Sequence, residues 1–123
     1  MSEQIMRAYY AAYNAQDAER IGALIDDAVV LESAMGTQEG KAAYLATYRH
    51  MIGLFVDQME PVEIAQDGDC MTVRIVDKLT ARDDVPDFMG QALAKGETIT
   101  LNLTGRYTIR DGRIVGIRIA PAS

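Results

Sequence analysis

The segment from Glu97 to Arg110 alternates over more than a dozen residues, and this most narrows what the chain can fold into. Ile99, Leu101, Leu103, Tyr107 and Ile109 fall on one face, while Thr98, Thr100, Asn102, Thr104, Arg106 and Thr108 fall on the other. A strand this long belongs to a twisted sheet with one buried side. Gly105 interrupts the apolar row, as a glycine does at a bulge or where backbone or ligand approaches closely. Asp111-Gly112 then turns the chain into a partner strand over residues 113–120. A second hairpin precedes it: 62–66, a turn at Asp67-Gly68-Asp69, then 70–80. In its second arm Met71, Val73, Ile75 and Leu79 share a face with Asp77, so a carboxylate breaks an otherwise apolar row.

The covering layer comes from the N-terminal half. Ile5, Met6, Tyr9 and Tyr13 recur at helical spacing over residues 3–14, and Asp17 stands where its carboxylate can cap a second helix reaching about Ile25. A short strand follows over 28–34. Alternation seeded on Val30, Glu32 and Ala34 puts that carboxylate on an apolar face. Gly36 to Gly40 reads as a turn, and residues 41–55 as a third helix with Tyr44, Tyr48, Met51, Ile52 and Phe55 on one side. His50 lies roughly opposite that stripe, which suits a solvated or structural residue better than a catalyst. Residues 81–96 show no alternation and carry Pro86, Gly90 and Gly96, so a long mobile connection is expected there. It would contain a short helical turn at 91–95, and Phe88-Met89 would form its apolar tip. The whole is one domain spanning 1–123: α+β, with three helices packed on a strongly curved, mainly antiparallel sheet.

Charge and composition exclude several partners. Eighteen acidic against twelve basic residues give a net charge of -6, a field that repels nucleic acid and anionic membrane surfaces. Cys70 is the single cysteine, so no intramolecular disulfide can form, and no Cys/His spacing resembles a metal site. Met6, Met35, Met51, Met71 and Met89 scatter over different elements and read as core filler or pocket lining. No basic region precedes an apolar core at the N-terminus, and no apolar run approaches the ~18 residues of a membrane span. A cytoplasmic protein is the expectation.

The opening YYAAYNAQD…IGALIDDAVVLESAMG, a Gly-Lys-Ala-Ala helix start, and FMGQALAKGETITLNLTGRYTIRDGRIVGI together resemble the nuclear transport factor 2-like superfamily of cone-shaped α+β barrels with a cystatin-like fold. The Phe88-Met89-Gly90 and Lys95-Gly96 spacing is similar to the SnoaL-like polyketide cyclases, and the opening segment to the ketosteroid isomerases. The resemblance implies a small-molecule cavity. It places Tyr9 where the isomerases carry an oxyanion donor and Glu32 where they carry the base, while Gly105 falls where they carry a protonated aspartate. Glu32, Tyr9 and Asp77 are therefore the candidate catalytic residues, with Tyr13, Val30, Met51, Phe55, Phe88, Leu103 and Tyr107 as candidate pocket lining. The implied chemistry is acid/base catalysis of isomerase, cyclase or hydratase type on an apolar carbonyl compound, with neither cofactor nor metal. A noncatalytic ligand-binding or protein-interaction module is the alternative, in which Glu32 pairs with an arginine or water at the mouth. The resemblance also implies a homodimer through the outer face of the sheet, which the short side chains opposite Leu101 and Leu103 would suit.

Overall fold

A computed structural model describes residues 2–34, 36–88 and 90–122; Met35 and Met89 lie outside the described residues. Helix α1 (Ser2–Asn14) and helix α2 (Ala18–Leu24) are followed by strand β1 (Ile25–Ser33), strand β2 (Gly36–Glu39) and helix α3 (Lys41–Leu54). The remaining chain forms β3 (Phe55–Asp67), β4 (Cys70–Ala81), β5 (Val85–Phe88), β6 (Gln91–Leu93), β7 (Thr98–Arg110) and β8 (Arg113–Pro121). Six strands build one curled sheet in the order β2-β1-β8-β7-β4-β3, antiparallel except where β1 runs parallel to β8. The three helices cover its concave side. Asp17 caps α2 as its position in the sequence predicts, accepting a hydrogen bond from the Arg20 amide at 3.1 Å.

The alternation of β4 and β7 survives intact. Met71, Val73, Ile75, Asp77, Leu79 and Ala81 are all buried, facing Tyr107 and Ile109 across the β4–β7 ladder and the helices above. The face of α3 is also as read, with Tyr44 and Tyr48 buried and His50 exposed. No helix among the described residues is long and apolar enough to cross a membrane.

Four expectations change. Strand β1 begins at Ile25, and its inward residues are Val29 and Leu31, with Val30 and Glu32 facing out. A one-residue change of parity flips every side chain, and burying valine and leucine while leaving a carboxylate in water is the cheaper choice. The segment 36–39 is no simple turn but an antiparallel partner to β1, with Ser33 opposite Gly36 and Val30 opposite Glu39.

Strand β3 starts at Phe55, seven residues before the expected Val62, and runs straight through Pro61. Proline is tolerated because β3 is the edge of the sheet, where an amide donor is dispensable. The ladder slips by one residue beside it, leaving Val62 bulged and 53% exposed. Residues 85–93 form a small β5–β6 hairpin instead of an open connection ending in a helical turn. Its turn is closed by Asp87 Oδ1 accepting from the Gly90 amide at 3.0 Å. Val85, Phe88 and Leu93 pack into a satellite core with Phe55, Leu79 and Ala81, the two phenylalanine rings 4.8 Å apart.

Gly105 is explained by close approach. A Cβ there would lie 2.7 Å from Tyr107 Cε1 and 3.0 Å from Ile75 Cδ1, because the Tyr107 ring lies back along its own strand over the glycine. Gly105→Ala should therefore expel that ring and cost about 1–3 kcal/mol, as overpacked cores do. Urea denaturation monitored by tyrosine fluorescence checks this, and an unchanged midpoint would contradict it.

Candidate active site

Between the helices and the concave face of the sheet lies a cavity of about 220 Å³. Its wall is apolar over most of its extent, from Leu31 on β1 through Met51 on α3 to Leu101 and Leu103 on β7. Five of the six tyrosines reach it: Tyr9, Tyr13, Tyr44, Tyr48 and Tyr107.

Two carboxyl groups break this wall, Asp57 and Asp77, only 1% and 4% exposed. Cross-strand register brings them together. On the β3–β4 ladder Asp57 stands opposite Leu79 and Asp77 opposite Met59, so the two aspartates are diagonal neighbours on the inward face. The Tyr13 hydroxyl donates to Asp57 Oδ2 at 2.8 Å. No lysine, arginine or histidine is among the described residues lining the cavity, so no cation compensates the pair.

If both aspartates were ionised, Oδ1 of each would be buried without a donor. A proton retained on Asp77 resolves this, because it makes Asp77 the donor in a carboxyl–carboxyl hydrogen bond to Asp57. Burial first, then that hydrogen bond and the charge of Asp57, push the Asp77 carboxyl up to about 9. The pair thus holds one proton at neutral pH: an acid beside a carboxylate that Tyr13 keeps oriented.

The tyrosines remain neutral donors. Burial, followed by the charge of Asp57, raises Tyr13 well above the ordinary tyrosine value and takes Tyr48 up to about 12. Tyr48 donates to the Tyr13 carbonyl at 2.7 Å, Tyr9 and Tyr44 share a hydrogen bond, and Tyr10 donates to Tyr107 at 2.7 Å. Asn14, at the end of α1, accepts from the Met59 amide and donates to its carbonyl, both at 2.8 Å, which clamps β3 to the helix two residues from Asp57.

The residues singled out in the sequence divide accordingly. Tyr9, Asp77, Tyr13, Met51, Phe88, Leu103 and Tyr107 all line the cavity. Glu32, Val30 and Phe55 do not: Glu32 and Val30 lie on the outer side of β1, and Phe55 is fully buried in the satellite core behind Phe88. Glu32 instead accepts from Arg118 Nε at 2.6 Å, an ion pair with side chains 43% and 71% exposed, worth at most about 1 kcal/mol. The expected base is therefore not within reach of a cavity ligand. Asp57 takes its place in the geometry. It escaped notice because Pro61 set the expected strand start too late, yet the inward row Phe55, Asp57, Met59 repeats the Ile75, Asp77, Leu79 pattern of its partner strand.

Asp77 carries a folded-state value above its unfolded one, so its effect is absent below about pH 4. Its burial then costs progressively more stability as pH rises, and the cost is complete above about 9. Asp77→Asn should accordingly become more stable than the wild type with rising pH, by on the order of 1–3 kcal/mol at pH 8. Denaturation midpoints of both proteins at pH 4, 6, 8 and 9.5 test this, and parallel curves would refute the raised value.

The fold is shared widely among solved structures. A polyketide cyclase candidate from Sinorhizobium meliloti is 26% identical, with a TM-score of 0.74 over 95% of this chain and 94% of that one. A second such candidate, from Xanthomonas campestris pv. campestris, is 21% identical with a TM-score of 0.83, covering 95% of this chain and 87% of the other. An LEH-like epoxide hydrolase of M. tuberculosis is 18% identical with a TM-score of 0.78, covering 97% and 80%. No match was found among curated protein sequences. The profile of the SnoaL-like domain matches residues 6–117, nearly the whole chain, and the protein belongs to the SnoaL-like domain family.

Proposed function

We propose that this protein is an acid/base enzyme of isomerase, cyclase or hydratase type acting on an apolar carbonyl compound, with Asp57 as base and Asp77 as acid. The observation that carries this reading is the pair of buried aspartates on the wall of an otherwise apolar cavity, one of them holding a proton up to about pH 9. In the simplest step Asp57 takes a proton from the carbon beside the carbonyl while Asp77 gives its own to the carbonyl oxygen, producing the enol. Delivery of that proton from Asp57 to a different carbon of the conjugated enol, while the enol oxygen returns its proton to Asp77, completes an isomerisation and restores both carboxyl groups. Buried placement supplies the driving force, since neither group is levelled by water.

Neutral aryl and steroid-like ketones that raise the melting temperature are the compounds to assay, by NMR-detected exchange of their α-protons in D2O. Exchange should fall at least about 100-fold in Asp57→Asn and in Asp77→Asn, the usual scale of general acid/base catalysis. It should also decline above about pH 9 as Asp77 loses its proton. Ketones that bind tightly yet exchange no faster than in buffer would assign the chain to the noncatalytic alternative, a ligand-binding module.

We further propose a homodimer through the outer face of the sheet. Thr98, Thr100, Asn102, Thr104 and Thr108 give the outer side of β7 mostly short side chains suited to close sheet packing, with Arg106 the charged residue among them. Light scattering at micromolar concentration should return about twice the 13.5 kDa chain mass, and a monomer mass would contradict the assembly.

A further inference from the structure

The cavity holds a polar group that the aspartate pair leaves unused. Tyr107 accepts the Tyr10 hydroxyl at 2.7 Å, and its own hydroxyl hydrogen has no acceptor among the described residues. The residue is 1% exposed and lines the cavity. Its ring lies along β7 over Gly105, which puts the hydroxyl 3.1 Å from where a Cβ of residue 105 would be and beside Ile75 of β4. That displacement runs toward Asp77, two residues further along β4 and near enough for its charge to bear on Tyr107.

We infer that the Tyr107 hydroxyl is the hydrogen-bond donor for an uncharged ligand oxygen of carbonyl type bound beside the aspartate pair. This rests on the proposed function of the same site. The supporting argument is a count of donors and acceptors. A buried hydroxyl with an unspent hydrogen is costly until something accepts it, and a carbonyl oxygen does so without bringing a charge. An anionic ligand would face two aspartates with no cationic side chain among the described lining. Donation from Tyr10 into Tyr107 polarises the second O–H and strengthens what it gives to the ligand. Tyr10 and Gly105 are then positioning residues: one tunes the donor, and the other leaves the space in which it lies.

The probes are acetophenone labelled with carbon-13 at its carbonyl, and ethylbenzene, which has a similar shape and no acceptor. In the wild type the bound carbonyl stretch should drop relative to its position in hydrocarbon solvent. In Tyr107→Phe that drop should shrink to the part that Asp77 supplies and acetophenone should bind about tenfold more weakly, while ethylbenzene binds both proteins alike. Tyr10→Phe should give an intermediate carbonyl frequency, a response that loss of packing alone would not produce. An unchanged stretch and affinity in Tyr107→Phe would overturn the inference while leaving the cavity reading intact. If neither probe binds the wild type, both fall. Should Tyr107→Phe fail to fold, tyrosine labelled at Cζ in the wild type decides the matter. Its Tyr107 resonance must move with acetophenone and stay with ethylbenzene; equal response to both would overturn the assignment.

Discussion

Burying a tyrosine ring is favourable only if its hydroxyl keeps a partner, and this chain buries all six of its tyrosines. The partners are almost all on other elements. Tyr9 ties α1 to α3 through Tyr44, Tyr10 ties it to β7 through Tyr107, and Tyr13 ties it to β3 through Asp57. Tyr48 returns from α3 to the carbonyl of Tyr13. Helix α1 is therefore held against the concave sheet by directional contacts along its length, where aliphatic packing alone would permit it to slide or roll. The edge-on ring contacts, such as Tyr13 with Tyr48 at 4.7 Å, add to the same alignment. The cavity survives because these fixed rings prop the helix away from the sheet.

That arrangement gives the carboxyl pair its chemistry. A hydrophobic wall alone would raise both aspartates together, and a nearby arginine would lower both. Here the environments differ: Asp57 accepts a hydrogen bond from the Tyr13 hydroxyl, whereas Asp77 keeps its own proton. Two identical side chains on adjacent strands thereby meet different surroundings, one of them tied by a hydrogen bond to a helix.

Much of the fold was legible because long strands repeat their message. The rows of β4 and β7 state the same face five or six times, so a single glycine or aspartate could not obscure the pattern, and Asp77 could be placed inward from sequence. Short or interrupted segments do not average in this way. In β1 the parity rested on whether Glu32 or Leu31 was the informative residue, and the lower cost of leaving a carboxylate in water decided for Leu31. In β3 a proline reads as a strand boundary, since sequence does not reveal that the strand is an edge. Asp57 was hidden for that reason, although its position relative to Asp77 is set by a register that two matching alternations could have suggested. The β5–β6 hairpin depends on a distant satellite core around Phe55 and Leu79, information no local window contains.

The parallel seam between β1 and β8 bears on how the molecule is made. Glu32 and Arg118, joined across it, are 86 positions apart, while every other ladder in the large sheet joins strands that follow one another or nearly so. Hairpins can zip from their turns, but this seam must wait for both halves of the chain to be shaped and brought together, at a substantial loop-closure cost. Until it closes, Val29 and Leu31 on one side and Ile114 and Ile117 on the other have no cover. That separation predicts that the cone closes late and cooperatively, and that the cavity is walled on all sides only once the seam has formed.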